Sequence, residues 1–339
     1  MDAMDAMDGA RRPADSGDRG QTAGAQEAGA GGVPAEPRPC VFIHTNALQM
    51  LGAKVAAHAL KRNSRRADDF DVRIIHTDDY PFLRARDGQE FLRDGVKRRW
   101  RMDDLQSFTP LRFLPPELMG YRGRAIVIDP DIFALADVWE LLGRDMQGAA
   151  IMCRMRNGVK RLLGCYASSV MLLDCARLGH WRCEEQFNEL FEFKRDYMAW
   201  ISLKLEPPGS IRLFENEWND FDKLTPQTKM LHNTGRLTQP WKTGLPIDFT
   251  PADTFPLFPP VGWVMRWRRR AFGDHGLLGR YRRHPDANQE RLFFGLLREC
   301  IDAGTVSEDE VREEMRLNHV RHDAFEVMER SRVPDRLAA

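Results

Sequence analysis

A short apolar run that ends on two carboxylates one residue apart sets most of what this chain can become. The stretch is Arg124-Ala125-Ile126-Val127-Ile128-Asp129-Pro130-Asp131. Four consecutive apolar residues bring a buried strand out of the core, and both acids stand at its carboxyl end. That end is where open α/β sheets gather their ligands. Residues i and i+2 of an extended segment project to the same side, so Asp129 and Asp131 can face one cation. Pro130 biases Asp129 towards an extended backbone and removes a donor, which suits the last turn of a strand. Two hard oxygen ligands with open positions suit Mg²⁺ or Mn²⁺ shared with substrate phosphates. The competing reading is that the acids cap the following helix. Asp137 is better placed for that, directly before Val138-Trp139-Glu140-Leu141-Leu142.

Other apolar runs are spaced as a layered α/β protein would space them. Cys40-Val41-Phe42-Ile43-His44, Val72 with Ile74 and Ile75, Ala150-Ile151-Met152, and Val170-Met171-Leu172-Leu173 read as further strands. Near-continuous apolar strands, rather than strict alternation, fit a sheet covered on both faces. Between them, Leu48, Leu51, Val55, Ala59 and Leu60 repeat at helical spacing. Residues between Ile75 and Leu105 read as mixed helix and loop, and a helix is expected over about 184–204. Strands alternating with helices predict an α/β fold around a mostly parallel sheet.

The chain divides into three parts. Residues 1–39 predict a disordered tail, since about half are Ala, Gly or Pro and Val33 is the only large branched residue. The small repeat Met1-Asp2-Ala3, Met4-Asp5-Ala6, Met7-Asp8-Gly9 leaves the start codon open, and with no longer repeat a solenoid is not expected. Residues 40–260 form the main domain. Residues 261–339 predict a helical C-terminal extension, with Pro285 and Asp286 opening one helix and Ser307 with Glu310 forming the capping box of another.

Lys and Arg total 50 and Asp and Glu total 50, so the formal charge is zero. That balance argues against a globally basic nucleic-acid binder, and no nucleic acid is expected as a partner. No apolar run reaches the length of a membrane span, and the first residues do not resemble a secretory signal. The six cysteines form no C-x-x-C pair and read as reduced thiols packed in a cytoplasmic protein. One segment is locally basic. Between residues 261 and 284 there are seven Arg and a single Asp, with Trp263 and Trp267 interleaved. The basic stretch 265–283 reads first as a face salt-paired with the acids around Glu308 to Glu314. The next reading is peripheral contact with anionic lipid at the inner membrane surface, or a grip on an acidic acceptor.

The segment from Arg124 to Leu142 resembles the D-x-D region of glycosyltransferase family 8, and Met230-Leu231-His232-Asn233-Thr234-Gly235-Arg236-Leu237-Thr238-Gln239-Pro240-Trp241 is similar to that family's H-x-x-G-x-x-K-P-W pattern. The family comprises retaining transferases of GT-A fold that use nucleotide-sugar donors, usually UDP-linked. The resemblance covers roughly residues 40–250. It implies transfer of a hexose from a UDP-sugar, with Mn²⁺ or Mg²⁺, to an unknown glycan, lipid or protein acceptor. It also implies His232 as third metal ligand beside Asp129 and Asp131, and Gly235 as a point of close approach to the diphosphate. His44, Thr45 and Asn46 would hold the nucleotide base. Arg112 matches the family's basic position before the D-x-D strand. Asp196 would stabilise the reacting sugar centre or orient its hydroxyls, or else be an ordinary acid on a helix face. Asn219 would line the acceptor side, or be a turn residue.

Three positions depart from the family. Gln239 replaces the usual Lys, a loss that Arg236 or Lys242 would have to restore. Ala167 and Tyr197 stand where sugar-contacting polar residues are usual. A nucleotide-sugar-binding protein without transfer is therefore one alternative. A haloacid dehalogenase-like phosphatase is another. Two strands precede the acidic pair and Ile132 follows it, which speaks against the phosphatase.

Overall fold

The computed structural model describes residues 36–156, 165–248 and 279–331. Residues 1–35 of the expected tail and 265–278 of the basic segment lie outside the described residues.

The main sheet takes β1 (Cys40–Thr45), β2 (Asp71–His76), β5 (Arg124–Ile128), β7 (Ile151–Arg156), β8 (Cys165–Asp174) and β9 (Ile211–Leu213), in the order β2-β1-β5-β8-β7-β9. A hairpin of β3 (Glu90–Arg93) and β4 (Val96–Arg99) stands apart, and β6 (Ile132–Ala134), β10 (Asp220–Phe221) and β11 (Met230–His232) make a small second sheet. β1 pairs in parallel with β2 and β5, β7 in parallel with β9, and β8 antiparallel with β5 and β7. Five strands thus share one direction and β8 alone opposes them, so the expected mostly parallel α/β sheet is present. Every residue of β1 is buried, as are the four apolar residues of β5. Their continuous apolar sequence is what a strand covered on both faces requires.

The strand order also fixes where a ligand can sit. From β1 the chain moves outward to β2 and then returns to lay β5 on the other side of β1. Such a reversal opens a crevice beyond the carboxyl ends of the two central strands. His44, Thr45 and Asn46 end one of them, and Asp129-Pro130-Asp131 ends the other.

Helix Met50–Arg62 covers this end of the sheet. Helix Ala287–Asp302 packs on it and is held there by Glu299, which takes His58 Nε2 at 3.0 Å and the Arg62 guanidinium. Phe133 of β6, Trp241 and Phe293 form an aromatic cluster with centroids 4.7–5.9 Å apart, so the C-terminal helices brace the strand that follows Asp131. Asp286 caps helix Ala287–Asp302 through Asn288 N, and Ser307 caps helix Glu308–Arg316 through Glu310 N. The Glu310 carboxylate pairs with Lys54 at 2.6 Å.

Several expectations need correction. The helix expected over 184–204 is two helices, Cys183–Phe191 and Tyr197–Ile201. Phe193 takes a left-handed backbone, φ 58°, which ends the first, and Asp196 starts the second. The region read as helix and loop before Leu105 contains the β3–β4 hairpin. Its turn is Asp94-Gly95, with φ of 55° and 73°, and that dipeptide is a strong hairpin signal. The acids of 308–314 do not pair with the described arginines of the basic segment. Glu308 and Asp309 hold Arg312, Glu313 holds Arg316 and Glu314 holds His319, while Arg283 turns to Glu290. All six cysteines are unpaired and buried, and burial pushes the Cys40, Cys153 and Cys175 thiols up to about 12. Among the described residues no helix is long and apolar enough to cross a membrane.

Glu299 gives the packing of the C-terminal helix a pH signature. Burial opposes its charge, but the bonds from Arg62 and His58 prevail and hold its pKa below the usual range. A depressed carboxylate stabilises the fold above its unfolded pKa of about 4.3, and the contribution disappears as pH falls through the folded value. Glu299→Gln should cost about 1 kcal/mol or less at pH 7, because the pair is partly solvent-screened. Urea midpoints of the two proteins should converge as pH falls below the unfolded pKa of about 4.3 and through the lower folded value. A gap that stays constant with pH would assign the loss to packing instead of charge.

Candidate metal centre

The two sequence motifs meet through a β ladder. β6 begins directly after Asp131 and runs antiparallel to β11, with Ile132 opposite His232. The Asn233 amide extends the ladder by donating to the Asp131 carbonyl at 3.1 Å, and the Asp129 amide donates to the Ser169 carbonyl at 3.1 Å. Backbone pairing therefore fixes all three side chains. One ligand atom each from Asp129, Asp131 and His232 lie within 4.8 Å of one another. Gly52, in the first turn of helix Met50–Arg62, lets that helix close onto the acidic loop. A Cβ there would come within 2.8 Å of the Pro130 carbonyl oxygen.

Asp129 is clamped. Its Oδ1 accepts from Arg112 Nε at 3.0 Å and from His44 Nε2 at 2.8 Å, and its Oδ2 accepts from Arg112 Nη2. Arg112 Nη1 donates to Ser168 Oγ at 3.0 Å. Burial works against the charge on Asp129, but the Arg112 guanidinium and the His44 bond hold its carboxyl well below the usual range. Burial lowers the His44 pKa, and the acceptor Asp129 Oδ1 at 2.8 Å places a proton on its Nε2. Two lone pairs of Oδ1 are taken, and Oδ2 retains one for a further partner.

Asp131 and His232 have a different problem. The Asn219 side-chain nitrogen donates to Ser169 Oγ at 2.9 Å, which leaves its oxygen to accept from His232 Nδ1 at 2.9 Å. The imidazole proton is thereby placed on Nδ1, and Nε2 presents a lone pair. That lone pair faces Asp131 Oδ1 at 3.4 Å. With Asp131 ionised, neither atom can donate, and the buried Oδ1 has no hydrogen-bond partner. Burial, then the negative charge of Asp129, raises the Asp131 pKa. Burial lowers His232 to about 3; the Asp129 charge opposes this, and the positive charges of Arg156, Arg112 and Arg154 add to it. Two carboxylates and a neutral imidazole with its far nitrogen anchored are the donor set of a divalent cation. These residues fit such an ion.

The other expected site residues fall into two groups. Asn46 is on the rim of a cavity of about 770 Å³ beyond the ends of β1 and β2, shared with Leu48, Thr77, Asp78 and Met102. Its side-chain nitrogen donates to Leu105 O and Ser107 Oγ, and its buried oxygen has no partner. Thr45 is buried beside it and donates to the Asn46 carbonyl.

The second group is engaged within the protein. Arg112 lies on Asp129, as described. Lys242 is fully buried against Asp248, which also accepts from the Tyr281 hydroxyl. Burial lowers its pKa, and it offers no charge to a diphosphate. The charge of Arg236 acts on Tyr281. The Gly235 amide donates to Asp222 Oδ1 at 3.1 Å, and a Cβ would strike Thr238 Oγ1 at 2.5 Å, so a local turn accounts for the glycine. Asp196 uses both oxygens. Oδ1 caps helix Tyr197–Ile201 through Ala199 N at 3.0 Å, and Oδ2 takes Gly95 N at 2.9 Å. Asp196 thus starts a helix and ties it to the β3–β4 turn. Asn219 ends the short turn Asn216–Asn219, and its fully buried side chain also orients His232. Gly52 went unnoticed in the sequence, although a glycine inside a helical apolar pattern is a signal of close packing.

No protein-family model matches the chain, and no curated protein matches it. Among solved structures it is similar to the glycosyltransferase GlyE of Streptococcus pneumoniae, at 13% identity and TM-score 0.43, over 67% of this chain and 60% of that one. It is similar to the galactosyltransferase LgtC, solved with donor and acceptor sugar analogs, at 12% identity and TM-score 0.42, over 60% of this chain and 89% of that one. Mouse xyloside xylosyltransferase 1 is similar at 15% identity and TM-score 0.38, over 57% and 97% respectively. Likenesses this remote leave the fold to be argued from its own strand order and the chemistry from its own side chains.

Two substitutions test the geometry. Asn219→Ala should weaken Mn²⁺ binding by about 10–100-fold, because an unanchored imidazole loses tautomer and orientation. Gly52→Ala should improve helix propensity by about 1 kcal/mol locally yet also weaken Mn²⁺ binding, since the acidic loop must retreat. Titration calorimetry with Mn²⁺, alongside circular dichroism to confirm folding, reads both. Unchanged affinity in Asn219→Ala would remove the orienting role.

Proposed function

We propose that the protein is a metal-dependent glycosyltransferase that moves a hexose from a UDP-sugar, with retention, to a glycan, lipid or protein hydroxyl. The observation that carries this reading is the pair of facing acceptors, Asp131 Oδ1 and His232 Nε2, beside the one unused lone pair of Asp129. They stand at the strand-order reversal, on the same sheet edge as the cavity that Asn46 borders. A protein gains nothing in stability from burying such a set without a cation.

Asp129, Asp131 and His232 would hold Mn²⁺ or Mg²⁺, which supplies Lewis-acid neutralisation of charge developing on a leaving diphosphate. The chain's own residues prepare that site. Arg112 and His44 keep Asp129 ionised and aimed. Asn219 keeps His232 Nε2 unprotonated. Asp131 stays unbonded at Oδ1, the position of least internal competition. A retaining transfer can proceed on the front face of an oxocarbenium-like centre, with Asp196 stabilising that centre or orienting sugar hydroxyls. The phosphatase alternative requires Asp129 as nucleophile, and the fork from Arg112 opposes that.

A second reading, a nucleotide-sugar-binding protein without transfer, has one observation in its favour. Ala167 and Tyr197, where the family usually has polar sugar contacts, are both buried, and Tyr197 packs edge-on against Phe91. Six buried, unpaired thiols suit a reducing compartment such as the cytoplasm in either case.

UDP with Mn²⁺ should raise the melting temperature, since a ligand at 100 times its Kd adds about 2.7 kcal/mol. Asp131→Asn should act in two directions. Without metal it should stabilise the protein by about 1 kcal/mol, because the amide supplies a donor to His232 Nε2 at every pH without the cost of protonating a carboxylate. With metal it should lose the Mn²⁺-dependent shift. A shift that survives in Asp131→Asn and in Asp131→Ala would sink the metal assignment. Slow hexose release from UDP-hexose would separate the transferase from the binding protein.

A further inference from the structure

Three guanidinium groups converge on the candidate centre from two directions, and their partners can be counted. Arg112 is committed to Asp129 and Ser168. Arg154, on β7, donates to the Asn219 carbonyl at 2.6 Å and to the Asn216 carbonyl at 3.4 Å, with its guanidinium 4.2 Å from the Phe221 ring centroid. Arg156 ends the same strand two residues on, and so projects to the same face. It is partly buried, and among the described residues no hydrogen bond or ion pair reaches its side chain. Its guanidinium lies 5.9 Å from the Phe221 ring centroid.

Position gives that unpaired charge a meaning. The ring it approaches packs edge-on against His232, with centroids 5.4 Å apart. Arg156 therefore stands one aromatic ring away from the proposed metal ligand, close enough for its charge to act on His232 and for Asp129 and Arg112 to act on it. Burying a guanidinium beside two like charges costs free energy unless an anion arrives. The neighbouring carboxylates do not supply one: Asp129 is taken by Arg112, and Asp131 faces His232. Elsewhere in the second motif, Gln239 is buried and neutral, and Lys242 is spent on Asp248. Arg156 is thus the cation left for an incoming ligand.

We propose that Arg156 is the oxyanion-binding residue of the donor site, gripping a diphosphate oxygen or a carboxylate on the donor sugar. This rests on the UDP-sugar reading above. A guanidinium forks onto either group, and a phenyl ring beneath it holds the plane of the fork.

The test is titration calorimetry of the full chain with Mn²⁺ present, using uridine, UDP, UDP-glucose and UDP-glucuronic acid. Arg156→Gln should weaken binding at least about tenfold, either of all three uridine diphosphate ligands or of UDP-glucuronic acid alone, while uridine binding stays as in wild type. Arg156→Lys should recover part of the loss, because it restores the charge without the fork. If UDP and both sugar nucleotides weaken alike, the anion is the diphosphate. If only UDP-glucuronic acid weakens, the anion is on the sugar. The proposal is overturned if Arg156→Gln binds all four ligands as wild type does, or if uridine weakens as much as UDP, which would mark a structural role. Absence of UDP binding by the wild-type protein would defeat the parent reading and Arg156's role together, and it is distinct from a wild type that binds and a variant that matches it.

Discussion

Asp131 Oδ1 and His232 Nε2 lie 3.4 Å apart, two acceptors face to face whenever Asp131 is ionised, and Oδ1 is buried without a hydrogen-bond partner. Each neighbour sharpens the conflict instead of relieving it. Asn219 fixes the imidazole proton on the far nitrogen, and Ser169 fixes Asn219. The ladder between β6 and β11 holds the two atoms at 3.4 Å. A chain under selection for stability alone has cheap remedies, such as an asparagine at 131. That this arrangement is instead braced by two sheets, a helix and an aromatic cluster makes it a site at which local stability is given up for function.

The bracing explains the long reach of the C-terminal helices. Phe293 and Trp241 pack on Phe133 of β6, two residues beyond Asp131. Glu299 ties the same helix to the one whose Gly52 rests on Pro130. Pressure on the acidic loop is therefore resisted from both sides. Close packing is what allows a buried carboxylate to be held in a costly position, because a loose loop would turn it out to water.

Much of the fold was legible because buried parallel strands announce themselves as apolar runs. β1, β5 and β8 were each visible in this way, and so was the acidic pair at the end of β5. The order of the two motifs was legible too, since β6 and β11 bring them together by a short ladder. What escaped was set by partners distant in sequence. Nothing near Arg112 shows that its fork will close on Asp129, 17 residues on. Nothing near Asn219 shows that it will face His232. Lys242 read as a spare cation because its partner Asp248 and the Tyr281 above it meet only in the folded chain. The Asp94-Gly95 hairpin is different. Its signal was local and plain, and the charged residues of Val96–Arg99 masked the strand that follows.

The charge ledger of the site follows from these pairings and reaches beyond any single residue. Arg112 neutralises Asp129, so the motif's two carboxylates act as one net negative charge with a neutral imidazole beside it. A divalent cation bound there would leave a net positive site, suited to a diphosphate. Position 239 carries a neutral Gln, while Arg154 and Arg156 bring two positive charges near His232 from β7. Arg154 spends its hydrogen bonds on carbonyls of the Asn216–Asn219 turn and so helps to seat Asn219. The positive potential beside His232 thus comes from the main sheet, and the same strand that supplies it also holds the residue that orients this histidine.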